Sequence, residues 1–209
     1  MRPSEEKRGK GDGFMSAMSP ICPCMPHAEV VRLWKAWLDL GRTETYRPRT
    51  HVFVQGSLIH HMLLLECGFV KLDSTSRAGR DTLLDLRCAG QWLDYCPQLT
   101  GGPETASWDG YRYAFSAIAC TACTVYRCDL ERFQYVLANN IEAANLLLGE
   151  QAADHRKQVA MLRAMKLLDA QERLQHFLTR ILPCALSGRP LKDHEIAALI
   201  GVSKQHFVL

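Results

Sequence analysis

The stretch that follows Asn139-Asn140 constrains this chain more than any other. From Ile141 onward, apolar or small residues and one histidine recur at steps of three and four: Ile141, Ala144, Leu148, Ala152, His155, Val159 and Leu162. That spacing approximates a heptad seam. No proline breaks the run, and Gly149 is its one weak helix former. A helix of roughly 28 residues, about 42 Å long, is expected over 139–168. So long a helix with so narrow an apolar stripe needs a cover for that stripe. Parallel pairing with a second copy is the economical cover, and burial within a larger core is the alternative. His155 falls on the seam, where two symmetry-related imidazoles would make pairing sensitive to pH.

Upstream the pattern changes period. Between Thr43 and Arg127, β-prone runs occur at His51–Val54, Met62–Leu65, Phe69–Leu72, Thr82–Leu86, Tyr111–Ile118 and Thr124–Tyr126. Gly56-Ser57, Cys67-Gly68, Ala89-Gly90 and Gly101-Gly102-Pro103 punctuate them. Many short strands at this spacing imply an antiparallel sandwich or roll. Helical patterns flank it. One runs from Pro26 to Leu40 and carries Val30, Leu33, Trp34 and Trp37; the other runs from Asp129 to Ala138 with Asp129 as N-cap. Residues 1–20 are polar and glycine-rich and read as a disordered tail.

Downstream, Asp169 with Glu172 three residues on forms a capping-box signal, so the chain bends near Leu168 and a new helix runs to Leu182 before Pro183. The end of the chain reads as a helix-turn-helix. Ile196, Ala197, Leu199 and Ile200 face inward, Gly201 turns at positive φ, Val202 fills the angle, and Ser203 caps a second helix. Ser203, Lys204, Gln205 and His206 then occupy the first turn of a helix suited to the major groove. Ser203 suits a phosphate, Lys204 a phosphate or guanine, and Gln205 a bidentate contact to adenine.

These pieces, in this order, resemble the cyclic-AMP receptor protein/FNR (Crp/Fnr) superfamily of bacterial transcription regulators. The resemblance covers roughly residues 26–209. It rests on Gln55-Gly56, Leu64-Leu-Glu-Cys-Gly68-Phe-Val-Lys-Leu72, Gly79-Arg80, Ala89-Gly90-Gln-Trp-Leu93 and Ala117–Tyr126. It continues through Leu130-Glu-Arg-Phe133, Leu168–Leu178 and Ile196-Ala-Ala-Leu-Ile-Gly-Val-Ser203. It implies an α+β protein: an antiparallel β-roll of the cyclic-nucleotide-binding jelly-roll type, flanking helices, a long dimerisation helix and a partial winged helix-turn-helix. The family continues past this point with the rest of the recognition helix and a wing, so a C-terminally shortened form is expected, with DNA binding expected of an untruncated one. The implied organisation is an effector-sensing roll over 21–138, a dimerisation helix over 139–168 and a truncated DNA-binding unit over 169–209.

The resemblance also argues against cyclic AMP. The family's Gly-Glu pair for the ribose falls on Asp94-Tyr95, and its phosphate-binding Arg falls on Tyr113, followed by Ala114. A buried phosphate without its cation costs several kcal/mol. A small organic effector is expected instead, in a pocket lined by Trp92, Asp94, Tyr95, Tyr113 and Phe115, between sheet and long helix.

Other classes receive less support. A net charge of +3 is too weak to demand a polyanionic partner, so any basic surface is local. No apolar run approaches the length of a bilayer span, and no apolar stretch follows the charged N-terminus, so a cytoplasmic protein is expected. Cys22 and Cys24 are weak metal ligands, too few alone for an iron–sulfur cluster. His51, His60, His61 and His155 could serve haem, but no spacing marks a site. Cys120-Thr-Ala-Cys123 is a C-x-x-C expected to be structural. No nucleophile–base pair, phosphate-cradling loop or paired-carboxylate motif is present, so no enzyme is expected. The alternative function is a dimeric sensor that has lost DNA binding.

Overall fold

Two antiparallel sheets face one another in the computed structural model, which describes residues 27–79, 81–94, 111–178 and 191–202. Helix α1 (His27–Leu38) leads into strands β1 (Arg42–Tyr46), β2 (His51–Phe53), β3 (His61–Cys67), β4 (Phe69–Thr75), β5 (Asp81–Cys88), β6 (Ser116–Ala119) and β7 (Cys123–Asp129). The sheet orders are β1-β7-β3 and β2-β6-β4-β5. Helices α2 (Leu130–Asn139), α3 (Ile141–Leu167), α4 (Ala170–His176) and α5 (Asp193–Leu199) follow. The expected roll with flanking helices and one long helix is thus present. Strand β1 was not foreseen: Arg-Thr-Glu-Thr-Tyr is an edge strand with one half-covered face, and its sequence lacks an apolar run.

The sequence of β3 records its position. Met62, Leu63, Leu64 and Leu65 are all buried because both faces of this strand are covered. Leu63 and Leu65 point between the sheets, with Val70 and Leu72 of β4, Ala117 of β6 and Val125 of β7. Met62 and Leu64 point outward, under α1, α2 and the start of α3, where Trp34, Trp92 and Phe133 pack edge to face. The β3–β4 turn needs Gly68, whose φ is +92°, and a Cβ there would lie 2.5 Å from the Ala122 carbonyl oxygen.

Helix α3 begins where Asn140 accepts hydrogen bonds from the backbone N–H of Glu142 and Ala143, each at 3.0 Å. Its 27 residues span about 40 Å. It ends at Leu168, and the expected capping box follows: Glu172 N donates to Asp169 and Asp169 N donates to Glu172. The other expected cap is different. Asp129 makes no side-chain cap on α2; its carboxylate lies 3.1 Å from His61 Nε2 instead. Helix α5 closes as foreseen. Gly201 has φ +69°, and Val202 N donates to the Ala197 carbonyl at 2.9 Å in a Schellman-type turn. Arg173 of α4 donates to the Ile200 and Gly201 carbonyls at 3.0 and 3.1 Å, satisfying acceptors that the helix end leaves open.

Candidate functional site

Helix α3 has two working faces. One repeats as Ala143, Leu147, Glu150, Asp154, Lys157, Met161 and Ala164, in steps of four and three, and is built into the molecule. Ala143 and Leu147 pack under α1 and α2. Glu150 accepts from Trp34 Nε1 at 3.3 Å and from Trp92 Nε1 at 3.2 Å. Burial pushes its carboxyl up to about 7, against the opposing pull of those two donors. Asp154 pairs with Arg87 Nη1 at 2.5 Å. Lys157 Nζ lies 2.8 Å from Asp85, which also faces Arg87 Nη2 at 3.3 Å. The other face is the expected seam, about 140° around the helix. Ile141, Leu148, Val159 and Leu162 are exposed at 73, 69, 50 and 58%. Ala152 and His155 are exposed as well, and Ala144 is half-buried.

Between α3 and the roll lies a groove of about 380 Å³. The roll supplies Leu72, Leu84, Asp85 and Phe115; α3 supplies Lys157, Gln158, Met161, Leu162 and Met165; α5 adds Leu199. The register explains this. Asp85 stands opposite Leu72 and Arg87 opposite Val70, so both charged residues face the roll interior, where α3 covers it. Leu162 belongs both to the groove and to the exposed seam. A larger hollow of about 820 Å³ lies at the α3–α4 bend, with His155, Val159, Ala160, Arg163 and Leu167 on its wall.

The expected pocket residues separate. Phe115 lines the groove. Tyr113 lies deeper between the sheets, stacked on Phe53 with ring centroids 3.8 Å apart, and burial pushes its hydroxyl pKa above the ordinary value. Trp92 faces away, in the aromatic cluster beneath the helices. Asp94 is 9% exposed, its Oδ2 has no hydrogen-bond partner, and burial pushes its carboxyl up to about 7 despite the attraction of Arg87. Tyr95, Cys22, Cys24 and Ser203, Lys204, Gln205 and His206 lie outside the described residues. Among the described residues, Cys67, Cys88, Cys120, Cys123 and Cys128 are free thiols, and burial raises Cys120 to about 12. Among the described residues, no group of three or more His, Cys, Asp or Glu side chains could hold a metal ion, and no helix is long and apolar enough to cross a membrane.

Sequence reasoning missed Arg87, Asp154 and Lys157. Their signal is the second heptad of α3, one residue behind the apolar seam and hidden because its central members are charged. These residues do not fit a cyclic nucleotide. The cation inside the roll, Arg87, is 1% exposed and already faces Asp85 and Asp154. A phosphate there would meet two carboxylates as well as the unpartnered Asp94.

A second ionic group joins the roll to α5. Lys71 Nζ lies 2.8 Å from Asp73 and 2.7 Å from Glu195, and Leu83 and Leu86 of β5 pack against Ile196, Ala197 and Leu199. The first helix of the expected helix-turn-helix therefore rests on the outer face of β4–β5.

A double-sheet roll closed by a long two-faced helix defines the fold class of this chain. Residues 43–140 match the family model of the cyclic nucleotide-binding domain. The structure is similar to FixK2 from Bradyrhizobium japonicum, at 15% identity and a TM-score of 0.64, over 78% of this chain and 79% of that one. It is similar to the c-di-GMP-responsive global regulator CLP of Xanthomonas campestris, at 18% identity and a TM-score of 0.60, over 85 and 86% of the two chains. No curated protein sequence matches the chain. The resemblance to Crp/Fnr regulators is thus borne out in fold, with a match to the cyclic nucleotide-binding domain model over residues 43–140.

Proposed function

We propose that this protein is a cytoplasmic, homodimeric, DNA-binding transcription regulator of the Crp/Fnr type. The observation that carries the reading is the double character of α3. Its inner face is fixed to the roll through Glu150, Asp154 and Lys157. Its outer face leaves Ile141, Leu148, Val159 and Leu162 exposed at heptad spacing. Two copies pairing along that face bury the stripe and set two helix-turn-helix units side by side. The unit over 169–209 then reads DNA with Ser203, Lys204, Gln205 and His206. The roll over 21–138 holds the effector in the groove against α3.

Coupling follows from the lining. The roll, α3 and α5 all contribute walls to one groove, so an occupant contacts the sensor, the dimer helix and the DNA unit together. A ligand that fits one arrangement of these three elements better than another shifts their equilibrium. One similar protein, CLP, is described as a global regulator that links cell–cell signalling to virulence gene expression.

The test is selection from a pool of random duplexes by the protein expressed from its complete reading frame. Enrichment of a two-fold-symmetric sequence is expected, with affinity falling steeply as salt rises. Recovery of no preferred sequence at any salt concentration overturns the reading.

A further inference from the structure

The groove between the roll and α3 has a chemical polarity that selects its occupant. Lys157 and Gln158 stand at one end of its α3 wall and Met165 at the other. The eight residues between Lys157 and Met165 correspond to about 12 Å along the axis. Leu72, Phe115, Met161, Met165 and Leu199 make the rest of the wall apolar, and the two methionines can adapt to an irregular shape.

Below about pH 7 the polar end is electrically complete, because burial keeps Asp94, the further carboxyl near Arg87, in its neutral form. Lys157 and Arg87 are the cations, and Asp85 and Asp154 are the carboxylates that match them. An anionic head would take Lys157 from Asp85 and leave a third negative charge on two cations. A cationic head would add a third positive charge to two carboxylates. Either leaves a half-buried charge unmatched, which is costly. A hydroxyl changes no charge. It accepts from one of the remaining Lys157 N–H groups and donates to an Asp85 oxygen, so both of its hydrogen-bonding capacities are used.

We propose that this groove takes an uncharged, elongated, apolar molecule bearing one hydroxyl head. The head lies between Lys157 and Asp85, and the body lies along Met161 and Met165. The inference rests on the effector role given to the groove above and adds the ligand class.

A matched series tests it: octan-1-ol, octanoate and octylammonium, titrated calorimetrically at pH 6.0, where Asp94 is neutral, into the full chain, with cyclic AMP alongside. Octan-1-ol should bind once per protomer and at least ten-fold more tightly than either charged analogue. Met165→Glu should weaken it at least ten-fold without changing urea unfolding, because Met165 is already 39% exposed. Lys157→Met leaves Asp85 without its lysine, so octylammonium should become the tightest ligand of the three. General partitioning of an alkanol would not produce that reversal.

If octanoate or octylammonium binds the unaltered protein as tightly as octan-1-ol, the ligand class is wrong and the effector groove stands. If octan-1-ol binding ignores Met165→Glu, or Lys157→Met fails to reverse the order, the placement in this groove is wrong. If cyclic AMP binds and none of the eight-carbon probes does, both the class and the reading of the groove fail.

Discussion

Replacing Asp94 by Asn separates an electrostatic cost from a packing cost. Asp94 is 9% exposed, Oδ2 has no partner, and its carboxyl titrates near 7 in the fold against 3.8 ordinarily. The folded pKa is raised. Between those values the unfolded chain has released the proton that the folded chain still holds. Stability therefore falls as pH rises from about 4 to about 7 and is flat in this contribution above that. The slope approaches about 1.4 kcal/mol per pH unit and tapers near pH 7, so the native protein loses about 2 kcal/mol between pH 5 and pH 7 from this one group. Asn has the same shape and does not titrate. Its amide brings a fixed packing and hydrogen-bond cost that is the same at every pH. The difference in stability between Asp94→Asn and the unaltered protein should therefore move by roughly 2–3 kcal/mol in favour of Asn from pH 5 to pH 8. Glu150, raised to about 7 by burial, has the same sign, but it is present in both proteins and cancels. The assay is urea unfolding followed by tryptophan fluorescence at four pH values, at fixed protein concentration because the proposed dimerisation would add to apparent stability. A difference that stays constant within about 0.5 kcal/mol across that range would refute the claim that Asp94 is a buried carboxyl without a partner.

Three further perturbations probe other parts of the account. Arg87→Met leaves Asp154 and Asp85 facing an apolar side chain and should cost about 3–5 kcal/mol in urea unfolding, much of it recovered by adding Asp154→Leu. Gly68→Ala forces an L side chain into φ +92° and against the Ala122 carbonyl, and should lower stability by more than about 1 kcal/mol, read as a drop in melting temperature. Lys71→Ala removes the ion pair from roll to α5, so amide exchange over residues 193–200 should accelerate while exchange in β3 is unchanged.

The sequence made the architecture legible where burial is one-sided or complete. The Met62–Leu65 run, the Gly68 and Gly201 turns and the Asp169–Glu172 box each left a local signal, and each is present in the structure. What escaped was set by tertiary partners. Asp129 has the composition of an N-cap, yet His61 across the β3–β7 pair takes its carboxylate. Trp92 and Phe115 both read as pocket aromatics, but they lie on opposite faces of the same sheets, and only Phe115 reaches the groove. The charged inner face of α3 carries no local signal because Glu150, Asp154 and Lys157 find their partners only on strands and helices far away in sequence. The seam on the other face was legible because its apolar residues recur at heptad spacing along one uninterrupted helix.

In the proposed function that seam couples sensing to DNA reading, and sedimentation equilibrium of the chain tests it most directly. The account expects a dimer at micromolar concentration, and a folded monomer when Leu148→Glu and Val159→Glu are combined, since both side chains are exposed at 69 and 50% and take no part in the roll. A native chain that sediments as a monomer, or a doubly substituted chain that remains a dimer, contradicts it.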